Sequence, residues 1–333
     1  KSSAASDVYK RQDGNHHRMV EVDMMGNTIH NWDMLERGYT MHHAISQDKQ
    51  GNILATVSKT SAKIANGKDV RINDFIIMMD PEKGEILQEW DLVHMLDSAR
   101  YGMTDYDLTS DPFAQSASNW AHNNGIVEWG DDYLATARYQ GIFKFNKAGG
   151  IEWIISPHGY WRDKYLKLLL NPLHADGTPI TDPEVIAGTK NCDDFEWPWG
   201  CHTAVPLPNG HILYFNNGYG RNFKLDFTDR KNIYTCGIEY EVDEVNRTVR
   251  QVWQYGKERG AAYFTPARSG VQYLEQTGNR LICPGMSNVL SNGNRGARVT
   301  EVDPETQDVV FELELEDAIY QRVYRMSLYP ENQ

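Results

Sequence analysis

The sequence predicts an all-β protein, a β-propeller interrupted by a helical and loop insertion around residues 156–199. Two observations predict it. Hairpin patterns recur along the chain, and they come in two types that alternate, so that two hairpins make each four-stranded unit. A β-sandwich is the rival architecture, but a sandwich has no reason to repeat its hairpins with the same internal spacing. Four or five units are readable, so six blades require one degenerate or shared closing blade.

The elements run in order along the chain. Residues 1–12 (KSSAASDVYKRQ) are polar, match no repeat and read as a non-native leader; residues 13–333 read as one propeller domain. The first unit of the second hairpin type is VEVDMMGNTIHNW from Val20 to Trp32. It returns as Phe75–Trp90, Gly141–Trp153, Gly237–Trp253 and Ala297–Leu313. In each, period-two alternation flanks Gly, Pro, Asp or Asn, the pattern of a strand, a turn and a strand. The other hairpin type starts at His43 (HAISQDKQGNILATVSK), His122 (HNNGIVEWGDDYLATAR), His202 (HTAVPLPNGHILYFNNG) and Gly270 (GVQYLEQTGNRLICPGM). Between Ser156 and Trp199 the pattern breaks. Tyr160–Leu170 has helical spacing ending before Pro172, and Pro179, Pro183 and Pro198 punctuate the remainder of the insertion. An insertion of that length is expected to be a lid or rim element.

Composition bounds the function. Hydrophobic residues are 40% and charged residues 24% of 333, an ordinary globular balance. A net charge of −13 argues against a nucleic-acid partner, which needs a basic face. No apolar run approaches a membrane span. Nine Trp and 18 Tyr suit β surfaces and aromatic pockets, and Trp120, Tyr139, Trp197, Trp199 and Tyr263 are candidates for contact with planar substrates. The four cysteines (Cys192, Cys201, Cys236 and Cys283) include no CxxC pair, which speaks against a structural zinc site of that type.

The repeat also selects among the 11 histidines. Aligned on their turn glycines (Gly51, Gly130, Gly210 and Gly278), the hairpins of the His43 type carry His43, His122, His202 and Gly270 eight positions earlier. Equivalent positions in a propeller lie on a ring about its axis, so the three imidazoles are expected at one central pocket. Arg138 lies as far beyond Gly130 as His122 lies before it, which sets the two opposite each other in a hairpin. Asn124 is two residues beyond His122 and is expected on the same strand face. Lys59 is the counterpart of Arg138 in the first hairpin. Cations and hydrogen-bond donors gathered in an acidic protein favour a small oxyanion. Asn216 and Asn217 end the hairpin that His202 begins and are candidates to hydrogen-bond its ring. Tyr263, Thr265 and Arg268 are candidates for the rim. His211 reads as a turn residue, and His16, His17, His30, His94, His158 and His174 as surface or loop residues.

Several segments resemble the bacterial arylsulfate sulfotransferase family. They are MHHAI with the following QGNIL, NWAHNNGI (Asn119–Ile126), LATARYQGI (Leu134–Ile142), WPWGCHTAVPLPNGHILYFNNG (Trp197–Gly218) and WQYGKERGAAYFTPARSGVQYL (Trp253–Leu274). The resemblance runs from about residue 18 to the end. It implies a six-bladed propeller that moves a sulfuryl group from one phenol to another without a nucleotide donor, by a ping-pong route through a sulfohistidine. His202 corresponds to the transiently sulfated histidine. His122, Asn124 and Arg138 correspond to the sulfate-binding groups and His43 to the remaining active-site histidine. The resemblance implies no cofactor and no metal, and a periplasmic or secreted location.

The sequence also departs from the family. The separate N-terminal β domain of well-known members is missing, which puts their mode of dimerisation in doubt and leaves a homodimer open. Ala44 stands where many members have an acid. The family's disulfide near the nucleophile corresponds to Cys192 and Cys201 only with altered spacing. The chemistry is consistent with the resemblance. Sulfuryl transfer places charge on peripheral oxygens, where positioning and electrostatics dominate. A neutral imidazole is a competent nucleophile near pH 7. No GxxxxGK[ST] loop offers a nucleotide cradle. Two rivals remain open at this point: a metal-dependent enzyme using the His ring, and a non-catalytic binding scaffold.

Overall fold

The structure, a computed structural model, describes residues 3–5, 17–23, 25–66, 69–100, 120–224, 228, 230–287 and 290–319. All nine hairpins form, and the protein is mostly antiparallel β. Chain contacts divide it into two compact units. The first takes residues up to Asn171 with 181–191 and 222–224; the second takes 172–180, 192–221 and 225 onward.

In the first unit, β4 (Thr40–Gln47), β5 (Ile53–Asn66), β6 (Asp69–Met79) and β7 (Ile86–Asp91) form one sheet in sequence order. A second has β8 (Asn123–Trp129), β9 (Asp132–Ala137), β10 (Gly141–Phe145) and β11 (Ile151–Ile155), again in sequence order. A third is three-stranded: β1 (Ser3–Ala5), β2 (Arg18–Val22) and β3 (Thr28–Asp33). Thus Ser3–Ala5, which matches no repeat, still adds an antiparallel strand to Val20–Val22. The inner strands are buried on both faces, with Ile53–Val57, Phe75–Met79 and Tyr133–Ala137 buried without a break. Leu54, Ile76, Met78, Trp90, Ile126, Ala135, Phe143, Phe145 and Ile154 all belong to one core cluster. Burying such side chains stabilises by about 1.5–3 kcal/mol each.

In the second unit, β13 (His202–Pro206), β14 (Ile212–Asn216), β15 (Cys236–Asp243) and β16 (Thr248–Tyr255) form a meander, and β12 (Asn171–Leu173) adds a fifth strand beside β16. The last sheet has β17 (Gly270–Tyr273), β18 (Arg280–Cys283), β19 (Gly296–Val302) and β20 (Val309–Glu316). Leu213, Phe215, Val271, Ile282 and Val302 share a core with Tyr255 and Tyr263. The expected pairing of two hairpins per four-stranded unit is therefore the observed construction.

Two expectations change, and the cysteine pairing that the sequence left open is decided. The helix expected over Tyr160–Leu170 is one turn, α1 (Asp163–Leu166). Beyond it Leu168 O accepts from Ile154 N (2.8 Å) and Leu170 N donates to Ile154 O (3.0 Å), so the β11 edge takes backbone groups that a longer helix would use. The pairing of β5 with β6 continues to Asn66 and Asp69, past the ends of the hairpins read from sequence. The Cys192–Cys201 disulfide is not formed: Cys192 is a thiol that donates to Asp194 Oδ1 (3.1 Å).

Candidate functional site

Each hairpin of the His43 type begins with an irregularity, and there the site residues stand. The register shifts between Met41 and Ile45, between Asn123 and Gly125, and between His202 and Ala204. Left-handed backbone accompanies each shift: His43 (φ 56), His122 (φ 53) and Thr203 (φ 46), with Arg268 (φ 66) and Ser269 (φ 103) ahead of β17. Side chains rarely adopt this region, and a β-branched Thr there is an outlier. Bulges re-aim side chains out of the regular pleat and cluster at functional sites.

The bulges also correct the alignment on turn glycines. Gly130 opens a tight turn between Trp129 and Asp132, whereas Gly51 and Gly210 sit in longer turns closed by Gln47–Ile53 and Pro206–Ile212. The shared eight-residue offset therefore marks one region of the hairpin, not one register position. Extra residues in the first bulge pair Thr40 with Ser58, which sets Lys59 beside Tyr39 and away from His43. Lys59 is bound by Glu89 (Nζ–Oε2 2.6 Å) and is no counterpart of Arg138. The bulge at Asn124 likewise breaks the alternation behind its expected shared face with His122. Asn124 Oδ1 accepts from Thr136 Oγ1 (2.7 Å).

In the first unit His43 and His122 do meet. Their Nε2 atoms are 3.1 Å apart and their rings form an edge contact at 4.6 Å. His43 Nδ1 in turn lies 3.1 Å from His42 Nδ1, and His42 Nε2 lies 3.5 Å from Asp74 Oδ1. Arg138 is opposite His122 as expected, its backbone N–H donating to the His122 carbonyl (3.0 Å). Tyr139 flanks both, its ring 6.0 Å from the His122 ring and 5.8 Å from the Arg138 guanidinium. Arg138 and Asn124 are buried.

The electrostatics follow from this packing. Burial, reinforced by the Arg138 guanidinium and opposed by Asp74, holds the His122 imidazole down at about 3, so it is neutral at pH 7. Burial also works against the Asp74 carboxylate. The neighbouring His42 and the Asn123 N–H (3.0 Å) outweigh it and hold Asp74 below the usual carboxylate range. In the sequence His42 is ambiguous beside His43, the register favouring His43, and Asp74 does not stand out. Asp74 heads the apolar FIIMM strand, and a carboxylate leading into a buried strand is the signal that could have marked it.

His202 belongs to the second unit and is buried at its β13 start. Its Nδ1 faces Asn217 Oδ1 (2.6 Å) and the Gly200 carbonyl (3.3 Å). Both are acceptors, so Nδ1 carries the proton and Nε2 the lone pair. The Asn217 amide is itself fixed, because its Nδ2 donates to the carbonyls of Thr265 (2.8 Å) and Arg268 (3.2 Å). Two of the three residues read as rim, Thr265 and Arg268, thus hold the partner of His202. Asn216 serves the loop ahead of His202: it accepts from Trp199 N (3.0 Å) and donates to Trp197 O (2.9 Å). A Cβ at Gly218 (φ +68) would fall 2.1 Å from the Tyr234 carbonyl oxygen, so only glycine can follow Asn217 here. Trp197 and Trp199 are buried. Beneath them the buried Glu196 carboxylate accepts from Arg221 and the Tyr234 hydroxyl, while Tyr240 OH donates to the Glu196 carbonyl.

Among the other histidines, His211 sits in its turn and pairs with Glu239 (2.7 Å), and His16 lies outside the described residues. Among the described residues, no helix is long and apolar enough to cross a membrane.

Comparison with known proteins adds ancestry to this geometry. A family model described as arylsulfotransferase (ASST) matches residues 8–325. Arylsulfate sulfotransferase AssT of Escherichia coli O6:H1 (strain CFT073) is 29% identical over 339 residues, covering 92% of this chain and 56% of that protein. Arylsulfate sulfotransferase AssT of Lelliottia amnigena is 30% identical over 340 residues, with the same coverage of 92% and 56%. The chain thus spans about half the length of the curated relatives it matches. Among solved structures, BamB from Moraxella catarrhalis aligns with a TM-score of 0.31 and 8% identity, over 98% of this chain and 93% of that one. The family match runs through both clusters, that of His43, His122 and Arg138 and that of His202 and Asn217, and the chain belongs to the arylsulfotransferase family.

Proposed function

We propose that this chain transfers a sulfuryl group from an aryl sulfate to a phenolic acceptor by a ping-pong route through His202. The observation that carries the reading is the tautomer of His202: a buried imidazole whose Nδ1–H is committed to a fixed amide oxygen presents its Nε2 lone pair as a nucleophile. In the first half-reaction Nε2 forms a bond to sulfur, the bond from sulfur to the aryl oxygen breaks, and the phenolate leaves with the electron pair. In the second half-reaction the acceptor oxygen bonds to sulfur, the N–S bond breaks, and His202 is restored. The family resemblance assigns Arg138, Asn124 and His122 to the sulfuryl oxygens, where charge accumulates and fixed donors act most strongly. His43 and His122 are the groups through which a proton reaches the departing phenolate and later leaves the acceptor. On the same family expectation the protein works in the periplasm or another secreted space.

The experiment is a transfer assay with a chromogenic aryl sulfate and an added phenol, together with mass spectrometry of enzyme quenched with donor alone. Parallel double-reciprocal lines and a sulfated peptide containing His202 are expected, and both disappear in His202→Ala. Intersecting lines with no histidine labelled would replace the covalent route by direct transfer.

A further inference from the structure

We propose that His174, Cys192 and Asp194 form a binding site for a borderline-soft divalent cation of the zinc class. All three residues belong to the second unit and to the insertion that departs from the hairpin repeat. Each offers one ligand atom, and these atoms lie within 4.8 Å of one another. Asp194 is the centre of the group. It accepts from Cys192 Sγ (3.1 Å), from His174 Nδ1 (3.0 Å) and from Ala175 N (2.9 Å).

The two ligand separations at Asp194 are close to the edges of a metal tetrahedron. Zinc bonds of about 2.3 Å to sulfur and about 2.0 Å to nitrogen or oxygen place neighbouring ligand atoms roughly 3.3–3.5 Å apart. The two edges at Asp194, to Cys192 Sγ (3.1 Å) and to His174 Nδ1 (3.0 Å), lie within a few tenths of an ångström of that spacing, and all three ligand atoms stay within 4.8 Å of one another. Two protons now bridge thiol and imidazole to one carboxylate. A dication displaces the thiol proton, while the imidazole keeps its proton by moving it from Nδ1 to Nε2; the ion then meets a thiolate, a carboxylate and a neutral imidazole, so the site is charge-neutral when filled. The thiolate selects against calcium and magnesium, which take oxygen ligands, and the mixed N, S, O set suits zinc. Three protein ligands leave a fourth position for water.

Supports beyond the ligands are present. The Ala175 N–H orients the carboxylate, and Arg250 Nη1 donates to the Ala175 carbonyl (3.0 Å), pinning the turn that carries His174. That turn is closed by His174 N donating to Thr178 O (2.8 Å) and Gly177 N to His174 O (2.9 Å). A cysteine nucleophile is the competing explanation of the trio. The thiol, however, points to the acid and not to the imidazole. Burial and the Asp194 carboxylate push its pKa up, the reverse of an activated thiolate. Filled, the site would clip together the two ends of the segment 174–194.

The test is titration of the reduced, chelator-treated full chain with Co²⁺. A thiolate-to-cobalt charge-transfer band with the visible bands of a four-coordinate ion is expected, saturating at one Co²⁺ per chain and bleached by Zn²⁺. Cys192→Ser loses that band, whereas Cys201→Ser keeps it. His174→Ala weakens Zn²⁺ binding by more than the roughly 10- to 100-fold lost with an outer-shell partner. Zn²⁺ should also shield Cys192 of the wild type from iodoacetamide, a measurement that needs no variant. Cys192 is the half-buried thiol, whereas Cys201, Cys236 and Cys283 are buried. No charge-transfer band in the wild type, a band that survives in Cys192→Ser, or alkylation of Cys192 unaffected by Zn²⁺ would overturn the assignment.

Discussion

His43 and His122 are 79 residues apart in sequence, yet their Nε2 atoms stand 3.1 Å from each other. At that separation one nitrogen carries a proton and the other accepts it. The pair therefore shares a proton at the end of a chain that runs back through His42 to the Asp74 carboxylate. A deprotonated acid at one end of three imidazoles holds their rings in place and favours the return of a proton. This is the arrangement that a reaction with alternating proton donation and removal requires.

Arg138→Lys keeps the positive charge and loses the planar fork. On the proposed role, kcat falls by about 10²-fold, the scale of one lost transition-state donor. Steady-state kinetics on a chromogenic aryl sulfate measure it, and unchanged kinetics would make Arg138 a structural residue.

Asn217→Leu removes the acceptor that fixes the His202 tautomer. The proton can then occupy Nε2, and the rate of the first half-reaction falls by about 10²-fold or more, as when a catalytic histidine loses its orienting partner. A donor-only burst experiment reads this directly. A full-rate burst in Asn217→Leu would leave the Gly200 carbonyl as sufficient.

The depressed His122 also makes a stability prediction. Unfolded, its imidazole titrates near 6.5; folded, at about 3. Between those values the unfolded chain binds the extra proton, so stability rises with pH through this window and is lost as pH falls through it, with a slope from this group of up to about 1.4 kcal/mol per pH unit. Above pH 6.5 the contribution is complete and flat. Denaturant titrations at several pH values on wild type and His122→Gln should show a shallower dependence in the variant. Parallel curves would contradict the buried neutral state.

Glu196 is a buried acid held by Arg221 and Tyr234. Glu196→Ala strands the Arg221 charge and should cost about 3–5 kcal/mol of stability. A midpoint in chemical denaturation equal to that of wild type would mean that solvent reaches Arg221.

Much of this was legible in the sequence, for identifiable reasons. The hairpins could be read because turn chemistry and period two coincide at fixed spacing: DKQGN before Ile53 and PNGH before Ile212 announce their turns. The opposition of His122 and Arg138 needed only counting. Asp74 and the Glu196 group were not readable, because a buried polar contact joins residues distant in sequence and leaves no periodicity. The bulges were equally hidden. One or two extra residues change which atoms face each other and leave the local composition unchanged, which is why Lys59 went to Glu89 and the shared face of His122 and Asn124 did not survive.

The left-handed backbone at His43, His122 and Thr203 has a consequence for how such a protein can change over time. Glycine relieves this conformation where alanine does not, so at these positions the ordinary ranking of the two small residues is reversed, by about 1 kcal/mol. Selection for robustness alone would drift each bend toward glycine. A histidine or threonine at a bend that glycine would relieve trades durability for the side chain it presents, and a directed search for a hardier variant of this chain would be drawn to these bends first.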